Sequence, residues 1–546
     1  MNKKLPFLFL LLIIQPLLNA QNTFGTISID SAVMEGYTLI SVHQKSYLIN
    51  NCGEVINEWT SNYLPGNAVY LLEDGSILRT GRTNSSTISF GGRGGVIEKY
   101  NWNGNLTWQF FYDTPQYRQH HDIYPMPNGN VLILAATVMS NAEAILAGRN
   151  PANLSQDVLF NEQIIEVEPI GASNGNIVWE WNIKDHLVQD FDNTKDNFGT
   201  VDQNPNKLDI NFLNGTNTNA NWLHVNSIQY DDVLDQIVIS SRNLSEIWII
   251  DHSTTTAEAA SNSGGTYGKG GDLLYRWGNP QAYRQGTESD RVLYGQHTPQ
   301  RITQGLNNQG KIILFNNGNG RTPLFSEVMI INTPFDSPGF YSQPNNNAFG
   351  PTVPDYIYVD TEEITNFYSP ILSNAQVLPN GNTLICAGGK GIIFEIDSDE
   401  TIVWKYIVPV NNETGDIAEQ GQSTLAFQNQ TFRATKYAPD FSGFKGKDLT
   451  PGDPIEQNPN LTPCNNLSIN DNDIESVSIF PNPAINIINI KSNSPIDKFV
   501  IYDILGNQVM RSNGVETVNV KDLNSGLYFI KLVLNNKSTT LKFIKS

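Results

Sequence analysis

The sequence predicts an all-β protein, a six-bladed β-propeller followed by a small C-terminal β-sandwich, and three observations predict it. Short runs rich in Val, Ile, Tyr and Trp recur between Asn-Gly and Asp-Gly turns. Long apolar stretches with a 3.6-residue period are missing. The runs also form a repeating unit, in which paired strands across a turn are followed by a second pair that closes on tryptophan.

The chain opens with basic Met1-Asn2-Lys3-Lys4 and an apolar run from Leu5 to Leu18, broken by Pro6, Gln15 and Pro16 and ending near Ala20. This reads as a secretory signal peptide over residues 1–20, too short for a membrane anchor. No later segment reaches transmembrane length. The 34 Lys and Arg face 54 acids, a net charge of −20, which argues against nucleic acid or an anionic membrane as partner. The three cysteines, Cys52, Cys386 and Cys464, form no CxxC pair and are too sparse for a disulfide scaffold or structural zinc. One bridge between Cys52 and Cys464 and three free thiols both remain open.

The first half of the repeat reads NAVYLLEDGSIL from Asn67, HDIYPMPNGNVLIL from His121, HVNSIQYDDVLDQIVIS from His224 and SNAQVLPNGNTLIC from Ser373. A further copy starts at His297 with a longer turn reaching Gly310. The second half ends at Trp59, Trp108, Trp179, Trp277 and Trp404, and a degenerate sixth unit fits TFRATKYAP from Thr431. Four short strands repeated in this way suit propeller blades, each covering its apolar faces against its neighbours. A sandwich array or a solenoid is the competing architecture. The propeller is assigned to residues 24–445.

Residues 185–220 and 333–360 break the period and read as insertions. Asp190, Asp192 and Asp196 lie in the first, without the glycine and distal glutamate of a calcium loop, and read as a solvated acidic loop. Residues 446–472 are rich in Pro, Asn and Asp and read as a linker. The β-rich block from 473 to 546 carries Pro481-Asn482-Pro483, Tyr502-Asp503 with Gly506, Leu523 with Ser525-Gly526-Leu527-Tyr528, and the terminal Lys542-Phe543-Ile544-Lys545. These motifs, in this order, resemble the C-terminal type A sorting domain of the type IX secretion system of Bacteroidetes. The resemblance implies export through the periplasm to the cell surface or beyond, with the secretion machinery as partner.

Of seven histidines, His121, His224 and His297 share one phase of the repeat, the start of a blade's first strand. That strand lines the channel of a propeller, so equal phase means side chains at equal height. Strand alternation turns His120 away from His121. Arg242, at the end of QIVISSR, returns to the same mouth with a planar fork suited to a tetrahedral oxyanion. His43, His186 and His252 read as polar residues at strand ends.

Around these residues the segments HHDIYPMPNGNVLIL, NWLHVNSIQYDDVLDQIVISSRNLSEIWIID, YRWGNP and GQHTPQRI followed by KIILFNNGNGR resemble the bacterial arylsulfate sulfotransferases, PAPS-independent enzymes on a six-bladed propeller. The resemblance implies that His297 is the nucleophile and is transiently sulfated. It implies that His121, His224 and Arg242 hold the sulfuryl oxygens, one of the two histidines passing a phenol's proton. The expected partners are a phenolic sulfate donor and a phenol acceptor, in a ping-pong reaction without cofactor. No GxxxxGK[ST] loop is present to bind a nucleotide, and no cysteine has the CxPxR context of a formylglycine sulfatase. Characterised relatives carry an N-terminal dimerising β-domain, whereas here the repeats begin soon after the expected cleavage point, so oligomeric state stays open. A non-catalytic surface-binding propeller and a metal-binding histidine enzyme are the alternatives.

Overall fold

The computed structural model describes residues 22–84, 88–215, 218–343, 346–465, 477–492, 495–504, 507–514, 516–534 and 537–546. The expected signal peptide, Gly506 and much of the expected linker lie outside these residues. The chain divides into two compact units, Met1–Pro463 and Cys464–Ser546.

The first unit is mostly β, with six antiparallel sheets that resemble propeller blades. The second, third and fourth sheets start with strands Pro65–Leu71, Tyr117–Pro125 and Val225–Asp231. The fifth and sixth start with His297–Arg301 and Asn374–Val377. The first sheet is built from both ends of the unit: Thr435–Tyr437 pairs with Tyr37–Val42, which leads to Lys45–Ile49 and Val55–Thr60. The segment TFRATKYAP thus completes the first sheet instead of starting another. The last sheet is closed in the same manner, because Gly25–Ile29 adds a fifth strand beside Ile402–Ile407.

The repeated tryptophans have a common task. Each stands on the fourth strand of its sheet, is almost fully buried, and carries its indole N–H to the following sheet or its loops. Trp59 donates to the Asn101 carbonyl at 2.9 Å, Trp108 to Asn174 at 2.9 Å and Trp404 to Asn51 at 2.7 Å. Trp277 donates to Pro351 at 2.7 Å, and Trp179 to the Thr254 hydroxyl at 3.1 Å. A buried indole needs a partner for its N–H, so one residue supplies both apolar bulk and a polar latch. Large buried hydrophobic clusters fill the space between successive sheets.

The segment read as a linker is held to the first unit as far as Asn460. Val55 N–H donates to the Asp453 carbonyl, Gln457 N–H to Ala418, and Asn460 N–H to the Asn22 side chain. Asp190 pairs with Arg284, while Asp192 caps Thr194 locally. Cys52 and Cys464 are both disulfide-bonded, and Cys386 is a buried free thiol.

The second unit has a three-stranded sheet (Ser478–Phe480, Ile487–Lys491, Thr517–Asn519) and a four-stranded one (Lys498–Tyr502, Gln508–Asn513, Gly526–Leu534, Lys537–Lys545). One apolar core, including Ile488, Val518, Phe499, Ile530 and Phe543, joins their inner faces.

Candidate active site

The residues that share a repeat phase also share a backbone kink. Asn67, His121, His224 and Ser373 all have positive φ, and in the fifth copy the kink falls one residue later, at Thr298. The pairing register of the first strand shifts beside each of the four kinks in sheets two to five. A bulge re-aims side chains, and here it brings His121, His224 and His297 to one cavity. That cavity has a volume of about 410 Å³, and Arg242 and His43 line it too. His43 sits at positive φ in the turn between Tyr37–Val42 and Lys45–Ile49, not on a blade's first strand. The sequence reading sets it aside as structural; its position is on the cavity wall. His186 and His252 lie elsewhere, each bonded at both ring nitrogens.

His297 is nearly inaccessible and its tautomer is fixed. Nδ1 faces the Asn317 side-chain oxygen at 2.7 Å and the Gly295 carbonyl at 3.1 Å, both acceptors, so Nδ1 carries the proton. Nε2 therefore keeps its lone pair, and it accepts a long hydrogen bond from the Leu372 N–H at 3.2 Å. Burial lowers the His297 pKa to about 3 despite the bond to Asn317, which leaves a neutral imidazole at physiological pH.

His121 and His224 meet edge to face, with ring centroids 4.7 Å apart. Burial, then mutual repulsion, holds His121 well below the usual imidazole range, and burial with the Arg242 charge does the same to His224. The Asn221 amide nitrogen lies 2.6 Å from His224 Nδ1, leaving Nε2 to carry that ring's proton. Among the described residues the Arg242 side chain makes one hydrogen bond, to Asn243 at 3.2 Å.

His120 does not turn away from His121. Their Nδ1 atoms are 2.9 Å apart, and His120 Nε2 is 2.8 Å from Glu162 Oε2. Alternation of side chains presumes a regular strand, and the left-handed φ of 49° at His121 breaks it. Glu162 and Asn317, which orient two of the histidines, escape the sequence reading because neither lies at the shared phase.

A second cavity, of about 460 Å³, adjoins the first, and His224 and Arg242 line both. Its other walls combine Phe90, Val158 and Phe160 with the amides of Gln156, Asn219 and Asn221. Phe90 stacks beside the His121 ring, with centroids 6.5 Å apart and planes inclined by 21°. The cavity wall therefore sets aromatic and aliphatic side chains and uncharged amides beside the Arg242 guanidinium.

Residues 35–433 match the arylsulfotransferase (ASST) family. The chain belongs to the arylsulfotransferase family. It is accordingly an enzyme of the aryl-sulfate sulfotransferase type. Residues 478–546 match the secretion system C-terminal sorting domain, which assigns this arylsulfotransferase to the type IX route and to the cell surface or exterior. No curated protein sequence matches the chain significantly. Similar solved structures include a protein of unknown function from Bacteroides caccae, at 11% identity and TM-score 0.38, covering 74% of this chain and 99% of that one. Another is virginiamycin B lyase from Staphylococcus aureus, at 12% identity and TM-score 0.31, covering 71% and 90%. At these scores the likeness bears on neither activity nor ligand. No helix among the described residues is long and apolar enough to cross a membrane.

Proposed function

We propose that residues 24–445 form a six-bladed propeller whose mouth moves a sulfuryl group from a phenolic sulfate to a phenol through a sulfohistidine at His297, with no PAPS. Residues 1–20 are then the export signal, 446–472 the connection, and 473–546 a β-sandwich that serves as the sorting address. The observation that carries the reading is that three neutral imidazoles and Arg242 line one cavity around which none of the described lining residues is acidic, in a protein of net charge −20.

In the first step the Nε2 lone pair of His297 attacks sulfur. The N–S bond forms as the S–O bond to the aryl group breaks, and the electron pair leaves with the phenolate oxygen. Leu372 N–H must release Nε2 for this attack and is then free to donate to a sulfuryl oxygen. The Arg242 guanidinium and His224 Nε2–H stabilise charge spread over those oxygens, as donors do in phosphoryl transfer. No separate base is needed, because His297 starts neutral and in the right tautomer.

In the second step the oxygen of an acceptor phenol attacks sulfur, the N–S bond breaks, and its pair returns to Nε2. The phenol's proton passes to His121, the ring backed by His120 and Glu162. The aromatic slot beside Phe90 and Phe160 suits the aryl group.

Intact-mass analysis after exposure to 4-nitrophenyl sulfate tests this. A single sulfuryl adduct mapping to His297, discharged by phenol and missing in His297→Ala, is expected. Nitrophenol release that proceeds equally fast without phenol would make the protein a hydrolase and end the proposal.

A further inference from the structure

The same cavity carries a second cation that the transfer chemistry leaves unused. Arg82 ends the strand Ile77–Arg82 of the second sheet, much as Arg242 follows the strand Gln236–Ser241 of the fourth. Both arginines line the cavity of about 410 Å³. The Arg82 backbone is engaged, its N–H donating to the Leu64 carbonyl at 2.8 Å. Its side chain is not: among the described residues Nε is buried without a hydrogen-bond partner and no carboxylate pairs with the guanidinium. Two buried arginines near the site do have partners for their terminal guanidinium nitrogens. Arg118 donates to the carbonyls of Ile88, Thr83 and Gly94, and Arg433 to the Asp122 carboxylate. Burial, and then the like charge of Arg93, lower the pKa of Arg82.

A half-buried guanidinium with an unmet donor beside a like charge is costly unless something anionic arrives. One aryl sulfate brings a single negative charge, which Arg242 and the histidines already receive. On the transferase reading above, we propose that Arg82 anchors a second anionic group, and that the preferred donor or acceptor is a phenol bearing a ring carboxylate, a hydroxyaryl carboxylic acid or its sulfate ester. A planar carboxylate matches the guanidinium fork. The cavity is also within the roughly 300–1,000 Å³ that small aromatic ligands occupy.

The test compares 4-sulfooxybenzoate with its methyl ester as donors, in wild-type protein, Arg82→Met and Arg82→Lys. Wild type should favour the carboxylate in kcat/KM by about tenfold, the scale of one charge-assisted hydrogen bond. Arg82→Met should bring the ratio close to one, with Arg82→Lys in between. Equal use of the two donors by wild type, or a ratio unchanged in Arg82→Met, overturns the assignment. Calorimetric binding of both donors to His297→Ala gives the same ratio without turnover. If no adduct or transfer is seen but binding still discriminates through Arg82, the transferase reading falls while the anion site stands. Binding without discrimination removes the anion site alone.

Discussion

Nδ1 of His120 lies 2.9 Å from Nδ1 of His121, and only one of the two can carry a proton there. Glu162 decides which. Its carboxylate accepts from His120 Nε2 at 2.8 Å, so His120 Nδ1 is the acceptor and His121 Nδ1 the donor. His121 is left with a lone pair on Nε2, the state required of a proton acceptor. Glu162→Gln keeps the shape and the bond to the Val225 N–H, yet its amide can present a donor to His120. The chain of protons then reverses, and His121 Nε2 becomes a donor. The expected result is an acceptor step slowed on the order of 10²-fold, while the nitrophenol burst, whose leaving group needs no proton, keeps its rate. Equal slowing of both phases would assign Glu162 to structure alone.

Protonation of His297 removes the nucleophile, and its pKa of about 3 puts that event far below neutrality. His121 and His224 are also held well below the usual range. For the free protein, kcat/KM with an aryl sulfate should therefore stay flat from pH 8 down to about 5, with no acid limb near the ordinary imidazole value of about 6.5. Steady-state profiles with 4-nitrophenyl sulfate check this, and a limb at 6 to 7 would contradict the buried, neutral nucleophile.

The sequence shows the three histidines clearly because a repeat converts phase into position: His121, His224 and His297 lie on or beside the first strand of different sheets. It misplaces His120, since alternation fails wherever a bulge intervenes. It passes over His43 and Arg82, which reach the cavity from a hairpin turn and from the end of a second strand, two places with no periodic signature. TFRATKYAP from Thr431 reads as a degenerate unit because the strands that complete its sheet, beginning with Tyr37–Val42, lie at the far end of the chain, and strand pairing across that separation leaves no local pattern. The aromatic slot is illegible for a similar reason: Phe90, Phe160 and Asn219 come from separate stretches brought together only by the fold.

Gly92 brings the backbone close against the His121 ring. Its φ is 80°, and a Cβ there would lie 2.1 Å from His121 Nε2. Gly92 also accepts the His121 N–H at 2.7 Å, so loop and histidine are locked face to face. Gly92→Ala should cost about 1–2 kcal/mol of stability from the left-handed conformation and should displace the imidazole as well. Acceptor-dependent transfer is expected to fall by at least tenfold at temperatures where circular dichroism still reports a folded protein. Unchanged transfer in the folded variant would mean that the His121 position is unimportant.

His252 gives the protein a pH-dependent term away from the cavity. Burial lowers its pKa, but hydrogen bonds to Asp235 at 2.7 Å and Glu166 at 3.0 Å prevail, and the value rises to about 9. A group whose pKa is raised by folding adds stability that is complete below its unfolded pKa near 6.5 and is lost as pH climbs through 9. The contribution is on the order of 2 kcal/mol, allowing for solvent around the half-exposed Asp235. Melting temperature should therefore decline between pH 7 and 9.5 in the wild type. In His252→Gln that part of the decline should vanish, because the neutral amide has no proton to lose, and the variant should be less stable chiefly at neutral and lower pH. Parallel wild-type and variant curves would show that the Asp235–His252–Glu166 cluster does not stabilise the charged imidazole.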